Sequence, residues 1–252
     1  MGRLLTGVGL MTLTSKREGT FSGQILSKGR IGQLYADCTD RGHLRGRVKV
    51  PSLGFPISPE EDPRGRRSVA AAVFPGDLSV IRSLGKGGYN QSAVPLVSGE
   101  IDEDLRQFLE TSDQIPTALA AEVLLGPNHR VERAGGVLIQ ALPDGDPARL
   151  AELRARLEKG GLAKIMEAEP VATLAALAPD AVVIDQLSLA WKCRCSEERV
   201  LASLRMLEAT DLAEMIAAEV PVVVDCDLCA KKYEIQVDQI RQLFAQMIKA
   251  EG

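Results

Sequence analysis

Cys193-Arg194-Cys195 and, thirty residues later, Cys226-Asp227-Leu228-Cys229 hold four of the five cysteines of this 252-residue chain in two tight pairs. A thiolate pair one or two residues apart can grip one metal ion, and a second pair brought alongside completes a tetrahedral four-sulfur shell. Soft thiolates in that geometry favour Zn²⁺, one per chain, over harder divalent ions, with an iron–sulfur cluster as the weaker candidate. The C-x-C half is the unusual one, because its two sulfurs are close enough to oxidise into a strained local disulfide. The spacing alone therefore leaves open a zinc site, a pair of disulfides, or free buried thiols. A constitutive disulfide framework is disfavoured, since no secretory signal accompanies the cysteines.

Sixty residues around this motif supply a thin core, so the metal is expected to make the unit fold. Residues 191–252 carry 8 Lys and Arg against 11 Asp and Glu, a net charge of −3 before thiolates are counted. Nucleic-acid binding draws most of its affinity from cations meeting phosphates, which makes this acidic module a poor nucleic-acid binder. In it, Ser196 is expected to cap a helix bearing Val200, Leu201, Leu204 and Leu207, and Thr210 to open a second. Val222–Val224 and Tyr233–Ile235 should form a hairpin with Cys226 and Cys229 at its tip. Asp238 should cap a last helix with Ile240, Leu243, Phe244, Met247 and Ile248 inward.

Upstream the periodicity differs. Leu4 to Leu13 reads as the end of a buried helix whose earlier turns are absent. Phe21–Leu26, Ile31–Cys38 and His43–Val50 alternate with period two and read as an antiparallel meander. Leu53 to Arg67 is rich in Pro, Gly and charge and reads as an exposed loop, with Arg64-Gly65-Arg66-Arg67 solvated. Val69–Phe74 and Leu78–Leu84 read as strands. Ser98 is a candidate N-cap for a helix carrying Ile101, Leu105, Phe108 and Leu109, with Glu100 in its first turn. Thr117–Leu125 and Val131–Leu142 flank Gly126-Pro127-Asn128-His129 and should pair as a hairpin. Pro143 to Pro147 ends this part. Ala148 to Pro179 is helical and weakly anchored, with Leu150, Leu153 and Leu157 as an apolar stripe, a break at Gly160-Gly161, and a second helix from Leu162 to Ala168.

The expected fold is thus α+β, with a mixed or antiparallel sheet domain with helices (1–147), a helical linker (148–190) and a small zinc-binding domain (191–252). No apolar run is long enough to span a bilayer, so no membrane partner is expected. Met1 to Thr6 matches a myristoylation pattern too short to carry weight, and a cytoplasmic location is expected. His43 and His129 read as surface residues, Cys38 as a small buried hydrophobe, and Gly85-Lys86-Gly87-Gly88 lacks the spacing of a phosphate loop. Conventional catalysis has little support, and the protein is expected not to be an enzyme.

Four motifs occur in order along the chain: Val94-Pro95-Leu96-Val97-Ser98-Gly99-Glu100-Ile101, Asp113-Gln114-Ile115-Pro116, Ala134-Gly135-Gly136-Val137-Leu138-Ile139-Gln140, and the two cysteine pairs. In these the sequence resembles the heat shock protein 33 family, the redox-regulated 33 kDa chaperonins. The resemblance implies an ATP-independent holdase that binds unfolding client proteins under oxidative stress. It implies zinc on Cys193, Cys195, Cys226 and Cys229 in a reduced, inactive state. It implies that oxidation pairs Cys193 with Cys195 and Cys226 with Cys229, releases zinc, unfolds the zinc domain, loosens the linker and favours homodimers. Members of that family carry several dozen further residues upstream, so the chain is expected to begin inside that region with an uncovered sheet edge. Two other readings stand beside this one: a thiol-disulfide oxidoreductase using Cys226 and Cys229, and a zinc-ribbon nucleic-acid binder. The first needs a thioredoxin-like setting with the leading cysteine at a helix N-terminus, and Asp225 and Asp227 oppose thiolate formation there.

Overall fold

The computed structural model describes all residues except 15–18, 53–65, 84–86, 128–129, 163–165, 167–168 and 252. The chain forms two compact units, Met1–Trp191 and Lys192–Gly252.

In the first unit, β1 (Thr20–Ser27), β2 (Gln33–Thr39) and β3 (His43–Val48) form the expected meander. β4 (Gly76–Ser83) and β5 (Tyr89–Pro95) extend it on the β1 side, and β8 (Ala190–Trp191) adds a short parallel strand beside β3. The sheet order is β5-β4-β1-β2-β3-β8. β6 (Thr117–Leu125) and β7 (Val131–Gln140) pair antiparallel as a separate two-stranded sheet. Helix α1 (Gly2–Thr14) packs on both sheets, and α3 (Ile101–Thr111) packs on α1 and β6. Alternation explains the core: Phe21 and Ile25 of β1 and Leu34, Ala36 and Cys38 of β2 turn inward to meet Leu4, Val8 and Met11 of α1. Cys38 is fully buried, as a small hydrophobe would be.

Two glycines let α1 lie this close. A Cβ on Gly7 would stand 2.3 Å from Leu105 Cδ1 of α3, and one on Gly136 would stand 2.8 Å from Thr6 Cγ2 of α1. Gly136 of the Ala134–Gln140 motif is thus a place where helix and sheet touch.

Several local expectations fail. Val69–Phe74 is not a strand: residues Ala70–Val73 form a short helix, α2. Its N–H groups point to the Glu100 carboxylate, which accepts from Val69 N and Ala70 N as well as from Ser68 Oγ. Ser98 does not cap α3. Glu100 occupies that position, while Asp104 accepts from the Val97, Ser98 and Gly99 amides. Arg66 is no solvated loop residue, being 8% exposed, bidentate to Asp102 and 3.3 Å from Glu122. Residues 53–65, Leu84 and the Gly85-Lys86 pair lie outside the described residues, as do Asn128 and His129.

Helix α4 (Pro147–Arg156) is capped by Asp146, and it does not break at Gly160-Gly161. It passes into a wider π-helical turn over Leu157–Gly161. Of the helix expected over Leu162–Ala168, residues 163–165 and 167–168 lie outside the described residues. A further helix, α5 (Pro170–Leu177), follows. These segments are anchored: Leu157, Leu162, Met166 and Leu177 bury against Ala118 and Ala120 of β6, with Val137 and Ile139 of β7 beside them.

The second unit contains α6 (Glu197–Leu204), α7 (Ala209–Ala217), the hairpin β9 (Val222–Asp225) and β10 (Lys232–Ile235), and α8 (Val237–Glu251). Ser196 caps α6 as expected, accepting from Arg199 N. Glu208 rather than Thr210 precedes α7, and Asp238 lies within the first turn of α8 rather than at its cap. The core is Leu204, Leu212, Tyr233, Ile235, Ile240 and Leu243; Ile248, expected inward, is 56% exposed. Among the described residues no helix is long and apolar enough to cross a membrane.

Candidate metal centre

Two short segments of the second unit bring the cysteines together. Cys193 and Cys195 lie in extended chain just before the Ser196 cap, so the side chains of a C-x-C pair can reach the same side. Cys226 and Cys229 sit in the turn between β9 and β10. There the Ala230 N–H donates to the Cys226 carbonyl at 2.8 Å, and the Cys226 N–H donates to the Lys231 carbonyl at 2.9 Å. Ala230 closes this knuckle in the left-handed region, with φ at 57°.

All four sulfurs lie within 4.8 Å of one another. The Cys193 and Cys226 sulfurs are 3.7 Å apart, and those of Cys195 and Cys229 are 3.5 Å apart. A tetrahedron with Zn–S bonds of about 2.3 Å has an edge of roughly 3.8 Å, whereas a disulfide needs about 2.05 Å. The donor set therefore fits a tetrahedral thiolate metal ion, and no sulfur is bonded to another. All four residues singled out from the sequence converge. Both of these sulfur–sulfur contacts run between the two motifs, while the pairs of the expected disulfides lie within them.

The electrostatics match a site made for a cation. At Cys229 the Lys231 backbone N–H favours the thiolate. The competing hydrogen bonds from Cys195, Cys226 and Cys193, with desolvation, outweigh it and push the thiol up to about 12. Four sulfurs this close cannot all carry charge unless a cation shares the space. Three are half-buried and Cys229 is exposed, so the cluster is reachable from solvent on one side.

One neighbour was not foreseen. The Tyr233 hydroxyl donates to Cys195 Sγ at 3.0 Å, which, with desolvation and the charge of the cysteines, drives its own titration up to about 12. Lys231 Nζ lies over the same ring, 4.8 Å from its centroid. Tyr233 was legible only as a hairpin residue, because its contact depends on where the β9–β10 register puts it.

Residues 1–236 match the family described as Hsp33 protein. A 33 kDa chaperonin of Symbiobacterium thermophilum is 32% identical over 249 residues, covering 96% of this chain and 83% of that protein. One from Acaryochloris marina is 34% identical, with 96% of this chain and 83% of the relative covered. The crystal structure of the 33 kDa chaperonin, an Hsp33 homologue, from Thermotoga maritima superposes with a TM-score of 0.83 at 28% identity, over 98% of this chain and 85% of that one. With its α+β sheet domain, its cysteine cluster and a family match over nearly its whole length, this chain belongs to the Hsp33 protein family.

Proposed function

We propose that this chain is a redox-regulated, ATP-independent holdase of the cytoplasm, a binding protein rather than an enzyme, that keeps unfolding client proteins from aggregating. The observation that carries the reading is the convergence of Cys193, Cys195, Cys226 and Cys229 in a unit of only 61 residues, Lys192 to Gly252. In the reduced state the four thiolates would hold Zn²⁺, which supplies a cross-link between the start of the unit and its hairpin tip. Among the described residues, six buried side chains make a small core, and a metal contributes folding free energy outright to a unit of this size.

Oxidation acts on the sulfurs. Peroxide takes two electrons from each pair, Cys193 with Cys195 and Cys226 with Cys229. Each disulfide forms as one peroxide and two protons become two waters. Disulfide sulfurs are poor donors, so the cross-link is lost. The unit then unfolds, the segment 148–190 loosens, apolar side chains become available to clients, and homodimers are favoured. The division into core (1–147), linker (148–190) and redox unit (191–252) belongs to this proposal.

The test uses full-length protein purified under reductant. We expect about one zinc per chain, released by peroxide under mildly unfolding conditions, with suppression of the aggregation of a heat-labile enzyme appearing in step. Peptide mapping should find the two within-motif disulfides. Zinc loss with no gain in holding activity, or cross-links between motifs, would overturn the switch as stated.

A further inference from the structure

Tyr233 is 6% exposed, and its ring belongs to the core of the second unit with Leu204, Leu212 and Ile240. A buried phenol needs a partner for its hydroxyl, and the partner here is a sulfur, Cys195 Sγ, at 3.0 Å. The other end of the ring arrangement is also specific. Lys231 sets its ammonium over the face of the same ring, which withdraws electron density from the phenol and sharpens its O–H as a donor. Cys229, across the cluster, is exposed and receives the backbone N–H of Lys231 instead. The four sulfurs are therefore in unequal surroundings.

We propose that Tyr233 is a positioning residue for the four-sulfur site, its hydroxyl donating to Cys195 so as to aim that sulfur into the cluster and blunt its reaction with electrophilic oxidants. The inference rests on the metal-site reading above. A hydrogen bond to a thiolate draws charge from the lone pair that would attack peroxide or an alkylating agent, so the attacking rate falls while the lone pair facing the cluster stays oriented. Partners that orient metal ligands in this way typically change affinity or activity by about 10–100-fold. Because the ring itself packs the core, removing only the oxygen separates the two roles of the side chain.

The experiment compares the full chain with Tyr233→Phe. Zinc is measured first: about one per chain in the unsubstituted protein tests the metal site itself, independently of Tyr233. Each cysteine's reaction with iodoacetamide is then followed by mass spectrometry, and Co²⁺ is substituted to read the sulfur-to-metal charge-transfer band. We expect Cys195 in Tyr233→Phe to react about tenfold faster, with Cys229 changed less than about twofold and the Co²⁺ band displaced. A second protein carrying 3-fluorotyrosine at position 233, a stronger donor of nearly the same shape, should move Cys195 the opposite way. It decides the matter alone if Tyr233→Phe does not fold. Unchanged Cys195 rates with an unmoved Co²⁺ band, in a protein that holds its zinc, would make Tyr233 a core residue only.

Discussion

At the scale of single residues, the site is a competition between protons and a cation. With the Cys229 thiol pushed up to about 12, metal-free protein at neutral pH holds that sulfur protonated, and metal capture must displace the proton. The sign follows directly. Lowering the pH favours the protonated sulfur and weakens capture, whereas raising it toward 12 strengthens capture. The apparent affinity for Zn²⁺ should therefore rise by about tenfold per pH unit for each proton displaced between pH 6 and 8. Competition with a chelator of known pH dependence measures this, and a flat profile would show that the thiols are already ionised. The four cysteines were legible as candidates because two tight pairs are a pattern that can share an ion, and the fold brings all four sulfurs within 4.8 Å. Tyr233 and Lys231 were not, since the meeting of Tyr233 with Cys195 and of Lys231 with the Tyr233 ring depends on strand register and on the left-handed residue Ala230. Arg66 was misread for a related reason. A charged run looks solvated until Asp102 and Glu122, 36 and 56 residues on, are folded against it.

Among the elements, the ones read correctly are those whose periodicity is their own: α1, the β1–β3 meander, α3 and the β6–β7 hairpin. Val69–Phe74 looked like a strand because Val and Phe flank a run of alanines. Tertiary acceptors on Glu100 made it a helical turn instead. β5 was missed because its residues are mostly exposed and polar, so no alternation marks it. The motif glycines show how an element's packing can be tested one position at a time. A Cβ on Gly136 would meet the Ala120 carbonyl oxygen at 2.6 Å and Thr6 Cγ2 at 2.8 Å, and backbone cannot step aside. A Cβ on the adjacent Gly135 would meet Met166 Cε at 3.0 Å, the movable end of a flexible side chain. Gly136→Ala should thus cost about 1–3 kcal/mol and Gly135→Ala less than about 1 kcal/mol, read as denaturant midpoints. Equal shifts would mean that α1 does not press on β7 as described.

For the whole molecule the question is what holds the apolar side chains of 148–190 out of reach. Leu153, Leu157 and Leu177 are buried against the β6–β7 sheet. Polar contacts fasten the same segment: Arg154 pairs with Glu110, Arg133 donates to the Met166 carbonyl at 2.8 Å, and Arg156 donates to the Leu177 carbonyl at 2.9 Å. Fully exposing one such leucine costs about 1.5–3 kcal/mol, so this packing does not open by itself. The stretch after α5 differs: Val182 is 80% and Ile184 96% exposed, so it is not held by that packing. β8 is only two residues long, and Cys193 follows it two positions after Trp191, so the strand nearest the cysteines is weakly held. On the proposed switch, unfolding of the second unit loosens this segment. A chain ending at Trp191, which keeps all of the first unit, should then suppress aggregation without oxidant. Arg133→Ala in that shortened chain should lower the temperature at which suppression begins, because it frees the Met166 turn from β7. Far-UV circular dichroism would confirm that the sheet persists while helix is lost. If the shortened chain stays inert even after its helices have melted, client binding lies elsewhere and the restraint argument fails.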